Sequence, residues 1–303
     1  MAQTPKTPPF AFTALMIGSC SLAFGPWLVR IAEVGPVAAG FWRLALALPF
    51  LWLLARGLGQ PVHWPRRGLI VLTAFAAFFF AADLAAWHTG IHMTKLGNAT
   101  LFGNISSFAF AAWGLWLARR LPSPVQASAL ILAAIGAALL MGSSADLSAR
   151  HLRGDLLAMT AGLLYTGYLI AVERGRGDLA PLPLLFLASS FGAAMLLPFS
   201  LLLGEQIMPP DWTPVLLLAL GSQVLGQGLL VYAIGALPPL VVGLALLTQP
   251  AISALIGWAV YREGLSTLDW LGAAAIGLAL VLVQLPKRDA REQGLREGGS
   301  QPN

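Results

Sequence analysis

The stretch AAWGLWLARRLPSPVQASALILAAIGAALLM, residues 111–141, is echoed late in the chain by ALIGWAVYREGLSTLDWLGAAAIGLALVL, residues 254–282. Gly114 pairs with Gly257 and Arg119 with Arg262; after a short gap, Ile135-Gly136 pairs with Ile276-Gly277. Each copy ends one apolar run, turns through charged and turn-forming residues, and enters another apolar run. Such an echo predicts a fold made of two related halves, and what surrounds it decides where those halves sit.

The chain has 303 residues, 57% of them hydrophobic and 10% charged, where soluble domains carry about 25% charged residues. A soluble protein of this size could not hide that much apolar surface. The composition therefore predicts an all-α integral membrane protein. A span needs about 20 mostly apolar residues. Ten candidates lie near 10–32, 36–55, 68–91, 97–118, 124–142, 154–173, 181–203, 213–234, 239–260 and 267–285. The first run, from Phe10, is long enough to span and has no small-residue cleavage site after it, so no cleavable signal peptide is expected. The single cysteine, Cys20, allows no internal disulfide.

Ten spans place both termini on one side. That side would hold 12 of the 18 Lys and Arg, the opposite side five, and Arg43 would lie within a span. The positive-inside rule then puts both termini in the cytoplasm. The expected organisation is a cytoplasmic N-terminal segment, 1–9; a first five-helix repeat, 10–142; a loop, 143–153; a second repeat, 154–285; and a polar cytoplasmic tail, 286–303. Because five is odd, the second repeat enters the membrane in the opposite sense. Transporters use inverted repeats of this kind to build a site near the midplane.

The stretch TAFAAFFFAADLAAWHTG, residues 73–90, carries Asp83 inside an apolar helix, at a cost of roughly 2.5–3.5 kcal/mol if ionised near a bilayer centre. Of the formally charged residues, only Arg43 and Asp83 fall deep within spans, on consecutive antiparallel helices and at similar depth. One reading is a structural ion pair, Arg43 with Asp83, that fixes helix register. The other has Asp83 facing a water-filled cavity, where it binds a substrate ammonium or a proton. Trp87 shares its helix face, and Phe79 and Phe80 flank it one turn earlier. In span eight Gln223 and Gln227 lie four apart among glycines, and Asp83 maps close to Gln227 in the repeat. They read either as part of a midplane site or as interhelical glue. Asn98 and Asn104 in span four, Thr248-Gln249-Pro250 in span nine, and Tyr165 with Tyr168 in span six add polar groups among aromatic ones. Such a wall suits a neutral, partly apolar small molecule. His88 and His92 have ligand spacing but no third ligand, and no metal or other cofactor is expected. No Walker A sequence appears, so direct drive by ATP is not expected.

The order and spacing of GFWRLALALPFLW around Arg43, GDLLAMTAGLLYTGYLIAVER opening the second half, and the two repeat ends resemble the drug/metabolite transporter superfamily, EamA type. Within it the chain looks most like the YddG-type exporters of aromatic and other neutral amino acids. Ser107 stands opposite Pro250, a departure between the halves. The resemblance implies a secondary exporter of neutral or aromatic amino acids and related metabolites, in the inner membrane, working by alternating access. Its partners would be the small-molecule substrate and the lipid bilayer, with no nucleic acid and a monomer as the plausible state. Its cavity would be lined by Phe79, Phe80, Asp83, Trp87, Asn104, Tyr165, Tyr168, Gln223, Gln227 and Gln249. A broader exporter of drugs or lipid-like amphiphiles is the alternative. An intramembrane enzyme is a third reading, for which only Asp83, His88 and His92 offer a nucleus; the expectation is that the protein is not an enzyme.

Overall fold

The computed structural model describes residues 10–94, 96–119, 121–142, 150–262 and 266–284. The expected terminal segment 1–9, the tail 286–303 and most of the loop 143–153 lie outside the described residues. The described residues are helical, with no strand among them. Eight stretches are long and apolar enough to cross a membrane. They are α1 (Ala11–Arg30), α2 (Pro36–Gly57), α3 (Arg67–Met93), α4 (Leu96–Gly103 and Ile105–Ala118), α6 (Leu152–Gly175), α7 (Pro181–Leu202), α8 (Thr213–Ile234) and α9 (Pro239–Leu246 and Thr248–Tyr261). Two shorter apolar helices complete the order, α5 (Pro124–Gly142) and α10 (Thr267–Gln284).

Helix boundaries repeat along the chain. Leu96, Gly103, Ile105, Ala118 and Pro124 bound elements of the first half, and Pro239, Leu246, Thr248, Tyr261 and Thr267 bound the same elements 143 residues later. The break in α4 at Asn104 thus recurs in α9 at Leu247. Arg119 and Arg262, paired by sequence, both adopt the left-handed conformation, φ 48° and 55°. A capping box follows each. The Ser123 N–H donates to Gln126 Oε1 at 3.0 Å and the Gln126 N–H to Ser123 Oγ at 3.3 Å; the Ser266 N–H donates to Asp269 Oδ2 at 2.7 Å and the Asp269 N–H to Ser266 Oγ at 3.3 Å.

Packing repeats in the same way. Helix α2 packs on α7, α4 on α9 and α5 on α10, while α3 lies along α6 and α1 along α8. Moving every helix five places on maps this set of pairs onto itself. At the α5–α10 contact a Cβ on Gly136 would stand 2.7 Å from the Gly272 carbonyl oxygen, and one on Gly272 2.7 Å from that of Gly136. Gly277, which the sequence echo matches to Gly136 as a repeat position, lies away from this contact with open space around it. Two helices cross this closely only where both present bare backbone.

The α2–α7 pair carries the clearest mark of reciprocity. Gly59 and Gly204, each at φ +66°, end the two helices in left-handed turns that favour glycine. The next residue in each case reaches across to cap the other helix. Gln60 Oε1 accepts the Leu182 N–H at 3.3 Å, at the start of α7. Glu205 accepts the Val37 and Ala38 N–H groups at 3.2 and 2.8 Å, at the start of α2. These amides have no partner inside their own helix, and the helix dipole favours an anion there.

Candidate functional site

A cavity opens between the halves, with ≈ 680 Å³ of empty volume including solvent at its mouth. Its wall draws on seven helices, α1, α2, α3, α4, α6, α8 and α9. The broken helices α4 and α9 contribute residues at and around their interruptions: Gly103, Asn104, Ser106 and Ser107 from one, Leu246, Gln249 and Ser253 from the other. Broken backbone at membrane depth needs other partners for the carbonyls it frees. Here side chains add hydrogen bonds at the breaks: Asn104 Nδ2 donates to the Thr100 carbonyl at 2.6 Å, beside the Asn104 N–H at 3.1 Å, Ser106 Oγ to Gly103 at 3.0 Å and Thr248 Oγ1 to Ala245 at 2.7 Å. In α9 the interruption precedes Pro250, at Leu247.

Of the ten residues expected around a cavity, Phe80, Asp83, Trp87, Asn104, Tyr165, Gln227 and Gln249 line it. Phe79, Tyr168 and Gln223 do not. Phe79 turns toward Gly167 of α6, where a Cβ would stand 2.8 Å from its ring. Tyr168 is fully buried behind Phe80, ring on ring at 4.4 Å and 15°. Gln223 is fully buried between α2 and α7, accepting from Arg43 Nε at 3.1 Å and donating to Ser189 Oγ at 3.0 Å. The two glutamines part company although they lie four residues apart. Residues Leu218–Gln227 form a π-helical segment, whose wider turn aims Gln227 at Tyr165, 2.9 Å away, rather than at the partners of Gln223.

The expected ion pair between Arg43 and Asp83 is not formed. Both line the same cavity, yet no contact within 4.0 Å joins them. Gln223 holds the guanidinium by Nε, and the Phe80 ring lies beneath it, 5.6 Å from Cζ to the ring centroid. Among the described residues the Asp83 carboxylate accepts no hydrogen bond, and only the Nε edge of Arg43 is engaged. Sequence reasoning placed Arg43 in a structural bond and so left it out of the wall. It also missed Thr100, Ser106, Ser107 and Ser253. The Gly103-Asn104 pair within an apolar run was the available signal for a broken helix, and hence for hydroxyls gathered around it.

Other polar residues hold the frame. Asp155 accepts from Thr94 Oγ1 at 2.7 Å and from Asn98 Nδ2 at 3.0 Å, tying the start of α6 to α3 and α4. Arg30 donates to the carbonyls of Ile91 and Thr94 at 3.1 and 3.3 Å, at the end of α3. His88 is fully buried with Nδ1 3.0 Å from the Pro36 carbonyl, while His92 is exposed. Among the described residues no group of three or more His, Cys, Asp or Glu could hold a metal ion.

The comparisons with known proteins agree with this architecture. A crystal structure superposes with a TM-score of 0.74 over 91% of this chain and 96% of that one, at 14% identity, a likeness of fold. No curated protein matches the chain. Residues 152–285, the part that holds α6 to α10, match the model of the EamA-like transporter family. The apolar helices and this match together mark a multi-pass membrane protein whose residues 152–285 are similar to the EamA-like transporter family.

Proposed function

We propose that the protein is a secondary transporter that exports neutral and aromatic amino acids and related small metabolites across the inner membrane. In this reading all ten helices cross the bilayer as two inverted five-helix repeats, with both termini in the cytoplasm. The excess of Lys and Arg on one side of the ten spans supports that orientation. Alternating access follows from rocking one half against the other about the central cavity. Phe80, Trp87 and Tyr165 offer aromatic surface to an apolar side chain, while Asn104, Gln227 and Gln249 offer hydrogen bonds. The observation that carries the reading is this chamber, walled by both halves and mixing aromatic with polar groups.

The test is counterflow into liposomes holding the purified protein, with a panel of labelled amino acids, with and without a pH gradient. Exchange of aromatic and large neutral amino acids is the expected result. Exchange of apolar amphiphiles with none of any amino acid would overturn the reading in favour of a broader exporter.

A further inference from the structure

The central cavity holds two side chains of opposite formal charge, Arg43 and Asp83, and no hydrogen bond or ion pair joins them. Asp83 is 7% exposed and Arg43 3%. Each would cost several kcal/mol if buried without compensation. The direct bond that would cancel both costs at once is absent, although they share one cavity.

The surroundings of Arg43 preset its geometry. Gln223 anchors Nε, Ser189 anchors Gln223, and the Phe80 ring supports the guanidinium face. The edge formed by the two Nη groups has no partner among the described residues. A guanidinium held by one edge and one face, with the other edge free, is shaped to take a carboxylate through two parallel hydrogen bonds. Asp83, one helix away, is an acceptor without a donor.

We propose that Arg43 and Asp83 are the two poles of a zwitterion site: Arg43 binds the ligand's carboxylate and Asp83 its ammonium group. This inference rests on the carrier reading above and adds to it which end of the ligand meets which helix. The electrostatics select the ligand class. A monoanion satisfies Arg43 and leaves Asp83 uncompensated beside a second negative charge. A monocation does the reverse. A neutral amphiphile satisfies neither. An α-amino acid presents both charges on one carbon and keeps the cavity's net charge unchanged. With both poles on α2 and α3, the ligand's side chain is left to the aromatic wall of Trp87 and Tyr165.

Discrimination by the unaltered protein is the first test, because it needs no variant to fold. L-Tryptophan, tryptamine and indole-3-propionate share a ring and differ only in the charged groups. In proteoliposomes each is offered as competitor of labelled L-tryptophan counterflow. Tryptamine and indole-3-propionate should each compete about 10- to 100-fold less well, the range expected when a buried charged group is left unsatisfied. Equal competition by all three would overturn the two-pole site while leaving the carrier reading intact. Absence of counterflow with any amino acid would overturn both. In Arg43→Gln the handicap of tryptamine relative to tryptophan should shrink, and in Asp83→Asn that of indole-3-propionate. A uniform loss for all three ligands in both variants, with unchanged melting temperature, would assign the two residues a structural role instead.

Discussion

The reciprocal caps of α2 and α7 allow a direct measurement of how unequal the two ends of that pair are. Both caps follow a left-handed glycine and reach the same place on the partner helix, so position and backbone are matched. They differ in chemistry. Glu205 accepts two N–H groups with a charged carboxylate at the positive end of α2, whereas Gln60 accepts one with a neutral amide. Losing a cap costs roughly 0.5–2 kcal/mol, and an anion at a helix N-terminus adds about 0.3–1 kcal/mol. Glu205→Ala should therefore cost about 2 kcal/mol and Gln60→Ala about 1 kcal/mol, with Glu205→Gln between them. At roughly 2–4 °C per kcal/mol for a large domain, the melting temperature in detergent should fall by roughly 4–8 °C and 2–4 °C respectively. Thermal denaturation followed by loss of monodisperse protein reads this out. A Gln60→Ala loss equal to or larger than that of Glu205→Ala would refute the idea that charge at the helix end sets the strength of the cap.

Further outcomes follow from the cavity and the repeat ends. A methyl group at Gly162 would stand 2.6 Å from the Gly103 carbonyl oxygen and from Ile105 Cγ2, so Gly162→Ala should push α6 off the broken helix α4 at about 1–3 kcal/mol and reduce counterflow more than it reduces melting temperature. Tyr165→Phe removes the hydroxyl that accepts from Gln227 Nε2 at 2.9 Å and should weaken substrate exchange by several-fold, about 1 kcal/mol, with little effect on folding. Ser266→Ala opens the capping box of α10 and should cost about 1 kcal/mol, visible as a lower melting temperature with transport retained. Transport by Asp83→Asn measured from acid to alkaline pH should drop by a similar factor throughout; a profile that loses its pH dependence would instead assign Asp83 a proton-carrying role.

The positions of the helices were legible because apolar length and turn residues are local signals, and the helices lie where the ten apolar runs place them. The internal echo was legible for the same reason: Arg119 and Arg262 end helices and the serines four residues on begin them, and such termini leave marks in sequence. What stayed hidden depends on side-chain direction. Gln223 and Gln227 look like neighbours on one face until the π-helical segment turns them apart. Arg43 and Asp83 look like a pair because both are charged and equally deep, but depth along a helix says nothing about whether two side chains meet. Gln60 and Glu205 carried no signal as caps, because their partners lie more than a hundred residues away.

The backbone of the two halves is more alike than their chemistry, and that difference bears on how a carrier would hold its cargo. Helix breaks, left-handed ends and capping boxes recur from one half to the other. The two charges in the cavity wall do not: Arg43 and Asp83 both belong to the first half, while α6, α8 and α9 supply hydroxyls and amides, from Tyr165, Gln227, Gln249 and Ser253. Helices α2 and α3 pack on each other, so the two charges stand on neighbouring helices of the same half. In the alternating-access reading proposed above, a zwitterion gripped at both poles keeps its strongest contacts with α2 and α3. In that reading the neutral hydrogen bonds of the second half are the ones exchanged for water as the cavity changes sides. Each of those is worth about 0.5–1.5 kcal/mol, small enough to be broken and remade in every cycle, whereas a charge pole split between the halves would have to be desolvated anew each time.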